Sequence, residues 1–330
     1  MALVPLALCL LMKSTIAIQG PCDIFASGST PCVAAHSTVR ALFGAFNGPL
    51  YQVKRASDNA TRDISVVSAG GYADAASQDT FCQNTNCVIQ RIYDQSSEKN
   101  HLDTAPAGGY VHHPDKPVSA TRQPLTVDNG NKVYAAYFEG AMGYRIDKTS
   151  GVATGNDPET IYMVTSGKHY NGGCCFDYGN AETNNNDDGK STMEALYFGN
   201  ATGWGRGADN GPWVMADLEN GLWAGNETVN NGNTPITSTF VFAMVKGGSN
   251  GFALKGGDAN GASLKSLYDG PRPPGYQPMH KQGSIILGIG GDNSDSAIGT
   301  FFEGAMTKGY TTDAVDTAVY NNVVAFKYSL

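Results

Sequence analysis

Beyond its first dozen residues the sequence has no long apolar run, no basic cluster, no low-complexity tract and no regular alternation of helical and strand patterns. Each absence removes a class of function. The apolar stretch Ala2 to Met12 is shorter than the ~20 residues that cross a bilayer as a helix, and no later run approaches that length, so no membrane role is expected. With 22 Lys and Arg against 30 Asp and Glu, the net charge is −8, and no basic stripe marks a surface for nucleic acid. No Pro/Ser linker or charge block divides the chain, which predicts one domain. Only 16% of residues are charged and 41% are hydrophobic, enough for a sizeable core.

Ala2 to Met12 ends at Lys13 and leads to small residues near Ala17, the pattern of a cleaved signal peptide over residues 1–17. The mature domain then covers residues 18–330 and is exported to the extracellular space. Of 7 cysteines, Cys9 falls in the leader, and the others form three local couples: Cys22 with Cys32, Cys82 with Cys87, and Cys174 with Cys175. Six cysteines permit about 15 connectivities. Bridging the adjacent pair is demanding, because ordinary disulfides hold Cα atoms ~4.4–6.8 Å apart and neighbours across a trans peptide are ~3.8 Å apart. Strain of that kind clusters at ligand sites. Sequons at Asn59, Asn200 and Asn226 are glycosylation candidates and agree with export.

The 41 glycines, with many Asn and Thr, point to short strands joined by turns. Strands are expected at Lys132 to Glu139, Thr160 to Ser166, Thr237 to Lys246, Ser284 to Ile289 and Gly299 to Glu303, and helices at Thr30 to Phe46 and Thr312 to Phe326. The fold class is all-β, a two-sheet sandwich with few peripheral helices. Phe138-Glu139-Gly140-Ala141-Met142 recurs as Phe302-Glu303-Gly304-Ala305-Met306, read as two strands ending in one kind of turn, although either glutamate is also a candidate catalytic acid. Asn184 to Gly189 opens like a calcium loop but has Ala195 at the closing glutamate position, so it is read as a polar surface loop without metal.

Two segments carry candidate chemistry. In Trp213 to Trp223, a strand would place Met215, Asp217 and Glu219 on one face. Two carboxylates beside an amide and tryptophans suit sugar chemistry: a nucleophile, an anchor for hydroxyls and apolar surfaces for ring faces. A solvated strand edge explains the same acids equally well. In Ile286 to Asp295, an apolar strand runs into Gly290-Gly291, where backbone can approach a ligand, followed by Asp292 at the rim; alone, this reads as an Asp-Asn turn.

Taken together, Gly172 to Glu182, Met193 to Leu196, Trp213 to Gly221, and Lys281 through Asn293 closely resemble the catalytic domain of glycoside hydrolase family 54, the α-L-arabinofuranosidase B type. The likeness runs from about Cys22 to Tyr328. It implies a concanavalin-like jelly roll, exo-acting and retaining release of arabinofuranose from plant cell-wall arabinan and arabinoxylan, a monomer, and no cofactor or metal. By resemblance, Glu219 is the nucleophile and Asp292 the general acid/base, with Asp295 three positions on as a rival. Asp217 and Asn220 hold hydroxyls, a Cys174-Cys175 disulfide packs on the furanose, Trp204 walls the pocket, and the Gly291 backbone faces the sugar. Relatives of this type continue into an arabinose-binding β-trefoil, which is not expected in a chain that stops at Leu330. A lectin-like binding module on the same scaffold would need the pocket without the paired acids, and a structural or host-interaction protein would need neither.

Overall fold

A computed structural model describes residues 19–330, so the signal-peptide segment and Cys9 lie outside the described residues. The chain folds into two stacked, predominantly antiparallel layers. The first layer runs through Trp213–Asp217, Glu194–Gly199, Asp177–Ala181, Ser284–Leu287 and Tyr144–Ile146, each hydrogen-bonded to the next. The second runs through Gly251–Asp258, Val241–Gly248, Glu159–Thr165 and Gly299–Lys308. Glu159–Thr165 and Val241–Gly248 pack against Glu194–Gly199 across the interior. Strands central to a sandwich are covered on both faces, and Glu159–Thr165 is buried at every position. Its apolar core includes Ile161, Tyr162, Met163 and Val164, with Tyr162 stacked on Phe242 at a centroid distance of 5.4 Å.

All five expected strands form, with shifted ends: Asn131–Phe138, Glu159–Thr165, Val241–Gly248, Ser284–Leu287 and Gly299–Lys308. The C-terminal helix is Asp313–Ala325, capped by the Thr312 side chain, which accepts from the Val315 N–H. The helix expected over Thr30 to Phe46 does not exist. Within that span Cys32–Ser37 is a fully buried strand pairing with Gly299–Lys308, and the helix nearby, Pro21–Ser27, ends before it. A strand covered on both faces loses its alternation and shows the same apolar residues as a buried helix.

The Phe-Glu-Gly-Ala-Met echo is not one turn used twice. Glu139 follows the end of a strand, half-exposed and 3.6 Å from Arg122. Glu303 sits inside Gly299–Lys308, fully buried, where Arg40 donates to both its oxygens at 2.5 and 2.7 Å and the Tyr162 and Tyr328 hydroxyls donate at 3.1 and 2.7 Å. Neither glutamate reaches the pocket described next. All three expected disulfides form: Cys22–Cys32, Cys82–Cys87 and Cys174–Cys175. Of the sequon asparagines, Asn59 is exposed, while Asn200 and Asn226 are half-buried.

Candidate active site

The strand Trp213–Asp217 returns on itself through Leu218 to Gly221 into Leu222–Trp223. The two central residues of this hairpin are Glu219 and Asn220, with φ of 59° and 52°. A two-residue hairpin of the kind that matches strand twist requires positive φ at both central positions, and for a glutamate that conformation costs about 1 kcal/mol or more. The expectation that Glu219 continues the strand beside Asp217 is therefore corrected: Met215 and Asp217 share a strand face, and Glu219 reaches the same pocket from the turn. The Asp217 carboxylate secures the turn by accepting the Glu219 N–H at 3.1 Å.

Beside it, the Cys174–Cys175 segment leads directly into Asp177–Ala181. Its backbone is fastened to the loop after Ser284–Leu287: the Cys175 N–H donates to the Ser294 carbonyl at 3.3 Å and the Ser296 N–H to the Cys174 carbonyl at 3.1 Å. The disulfide and the Asp292 loop are thus positioned by one another. Cys175 is buried with Tyr197, Trp213 and Met215, and its sulfur touches an Asp217 oxygen at 3.3 Å. Although the two sulfurs and Asp217 lie close enough to suggest a metal site, sulfurs bonded to each other are not the thiolates a metal takes.

A cavity of about 230 Å³ opens between these segments, lined by Cys174, Cys175, Asp217, Glu219, Asn220, Gly291 and Asp292, with Trp204 and Tyr110 at its mouth. This volume falls below the ~300 Å³ at which pockets for drug-sized ligands begin, and suits a single small ring. Every pocket residue implied by the family resemblance lines it. Asp295 does not: it lies against Asp115, whose carboxyl is pushed up to about 7 by burial and by that neighbouring charge.

The family model for "Alpha-L-arabinofuranosidase B, catalytic" matches residues 21–329. This chain belongs to that family. Probable α-L-arabinofuranosidase B of Aspergillus terreus is 54% identical over 323 residues, covering 96% of this chain and 64% of the relative. α-L-arabinofuranosidase B of Emericella nidulans is 54% identical over 332 residues, 98% of this chain and 65% of the relative. The chain therefore spans just under two thirds of the length of these curated relatives. A solved GH54 α-L-arabinofuranosidase soaked with a cyclic sulfate inhibitor, and an arabinofuranosidase complexed with arabinofuranosyl-α-1,2-xylobiose, each superpose with TM-score 0.93 at 51% identity, covering 94% of this chain and 66% of theirs.

Around the family's pocket the structure adds residues to which the sequence reading gave no role. Asp177 is fully buried, neither of its oxygens has a hydrogen-bond partner among the described residues, and the neighbouring Asp217 raises it further. Glu182 is also fully buried, with Oε2 undonated and Glu219 as its neighbour. Two buried carboxyls side by side do not both ionise freely, because adjacent buried charges repel. Burial first, and neighbouring acids second, raise Asp177 and Glu219, while burial raises Glu182. Asp177 is sealed from solvent whereas Asp217 opens on the cavity, so Asp177 is the better place for the neutral form of that pair, while Glu219 is pushed up to about 11 by burial and then by Asp217 and Glu182. Position in sequence could have flagged Asp177, two residues after Cys175; nothing local marks it as a neighbour of Asp217.

Arg145 is a further residue that no sequence signal singles out. Its buried guanidinium donates to the Gly291 carbonyl at 2.7 Å, to the Glu182 carbonyl and to Asp147, tying the floor of the site to the Asp292 loop. The loop read as a polar surface feature buries Asn185 and brings the exposed Asp187 to the rim of the cavity. Asp187 accepts from the Asn220 side chain at 2.9 Å and lines the cavity, while Asn184 donates to Asp188 within the loop.

Proposed function

We propose that this chain is a secreted, monomeric, exo-acting α-L-arabinofuranosidase that releases terminal arabinofuranose from plant cell-wall polysaccharide with retention of configuration. The observation that carries the reading is the placement of Glu219 and Asp292 in one small cavity, on separate loops, over the Cys174–Cys175 disulfide. Family membership and the relative solved with arabinofuranosyl-α-1,2-xylobiose support the substrate class. The three disulfides support an oxidising destination.

In the first step the Glu219 carboxylate attacks the anomeric carbon. The bond to the leaving oxygen breaks, and Asp292 delivers its proton to that oxygen. In the second step Asp292, now a carboxylate, takes a proton from water as the water oxygen attacks the same carbon and Glu219 departs. The two carboxyls complete both steps between them. Neutral Asp177 lies beside Asp217 and favours its anionic form, which accepts a sugar hydroxyl. The Asn220 amide and the Gly291 N–H hold further hydroxyls. The disulfide supplies an apolar floor and Trp204 a wall.

Release of 4-nitrophenol from 4-nitrophenyl α-L-arabinofuranoside, with the product anomer read by NMR, tests the reading. Glu219→Gln should lower turnover by several orders of magnitude, and added azide should restore part of it with inverted product. Near-normal turnover in that variant, or an inverted product from the unaltered protein, would overturn the assignment.

A further inference from the structure

The mouth of the cavity holds an exposed aromatic side chain that none of the chemistry above uses. Tyr110 is 68% exposed and lines the cavity near Asp292 and Ser296. It belongs to the segment Pro106-Ala107-Gly108-Gly109-Tyr110, which is fastened to the site by backbone. The Tyr110 N–H donates to the Asp292 carbonyl at 3.0 Å, and the Gly109 N–H donates to the Asn185 carbonyl at 2.7 Å. The Asn185 side chain donates to the Ala107 carbonyl at 3.3 Å. Contact is so close at Gly108 that a Cβ there would stand 2.4 Å from the Asn293 Cβ and 2.7 Å from the Asp292 carbonyl oxygen. The backbone that carries Tyr110 is therefore fixed beside the Asp292 loop.

Geometry then limits what the ring can meet. The proton from Asp292 goes to the oxygen joining arabinofuranose to the rest of the polymer, so the next sugar lies on the Asp292 side of the cavity, outward of the disulfide floor. Tyr110 is hydrogen-bonded through its backbone to that acid and stands at the outer rim, with Trp204 also at the mouth. A sugar ring presents a face of C–H groups, which an aromatic ring covers well, and a ring carried on a fixed backbone loses only its side-chain freedom on binding.

We propose that Tyr110 is the platform for the leaving-group sugar, a backbone pyranose such as xylose, and so sets preference between polymeric and simple arabinofuranosides. This rests on the arabinofuranosidase reading above.

The test compares α-L-arabinofuranosyl-α-1,2-xylobiose, whose leaving group is a sugar, with α-L-arabinofuranosyl fluoride, whose leaving group has no ring. In Tyr110→Ala the ratio of kcat/KM for the first to that for the second should fall about tenfold, equivalent to ~1.4 kcal/mol of transition-state binding. Tyr110→Phe should keep the ratio within about twofold, since the ring and not the hydroxyl forms the platform. An unchanged ratio in Tyr110→Ala overturns the proposal, as does an equal loss on both substrates, which would make the loop a support for Asp292. Should the unaltered protein cleave neither substrate, the arabinofuranosidase reading fails and takes the platform with it.

Discussion

Gly291→Ala adds one methyl group where the structure leaves no room for it. The glycine is not in the left-handed region, so backbone conformation does not forbid the change; the obstacle is contact. A Cβ at this position would stand 2.1 Å from Glu182 Oε2, 2.9 Å from Met193 Sδ and 3.0 Å from Glu219 Oε2. Ordinary contact begins near 3.4 Å, so the nearest group must retreat by about 1 Å. Glu182 cannot do so freely, because its carboxyl accepts from the Thr192 hydroxyl and its carbonyl accepts from Ser284 at 2.6 Å and from Arg145. The displacement falls instead on the Asp292 loop or on Glu219. A misplacement of about 1 Å in a catalytic group costs on the order of 100-fold in rate, or ~2.7 kcal/mol in the barrier. Overpacking should cost a further ~1–3 kcal/mol in stability. Steady-state kinetics on 4-nitrophenyl α-L-arabinofuranoside beside thermal unfolding would read both quantities. A variant within threefold of the parent kcat would refute the argument that Gly291 is fixed by the two glutamates beneath it.

Other consequences are equally open to measurement. Asp292→Asn should slow substrates with poor leaving groups by more than tenfold relative to activated aryl glycosides; the reasoning fails if Asp295→Asn shows that selective defect instead. Asp115 is raised from 3.8 to about 7, first by burial and then by Asp295. Its native state holds a proton that the unfolded chain releases, so this stabilising contribution is full below about pH 4 and is lost as pH rises through about 7. Calorimetry should therefore find Asp115→Asn gaining on the parent between pH 4 and pH 8, and a pH-independent difference would exclude the shift. Glu303→Gln strands the Arg40 guanidinium, 5% exposed, without its counter-charge, so urea unfolding should report a loss of roughly 3–5 kcal/mol, while an undiminished stability would show that the ion pair contributes nothing net.

Local chemistry makes much of this protein legible in its amino-acid sequence. Runs of β-branched and aromatic residues bounded by Gly and Asn place five strands, because side-chain period and turn residues act over a few positions. The paired cysteines and the segments Trp213 to Gly221 and Gly290 to Asn293 point to one site, and residues from all three line one cavity. Tertiary structure decided what depends on partners distant in sequence. Cys32–Ser37 became a strand because Gly299–Lys308 lies beside it. Glu219 left its expected strand because the hairpin folds back onto Ala216 and Asp217. Asp177 joined the site because its strand pairs with Glu194–Gly199, which pairs in turn with the strand of Asp217, and Arg145 because it reaches two loops far from it in sequence. Burial and charge proximity are properties of the packed interior, so the protons of this carboxyl cluster are assigned by the fold and not by any stretch of its sequence.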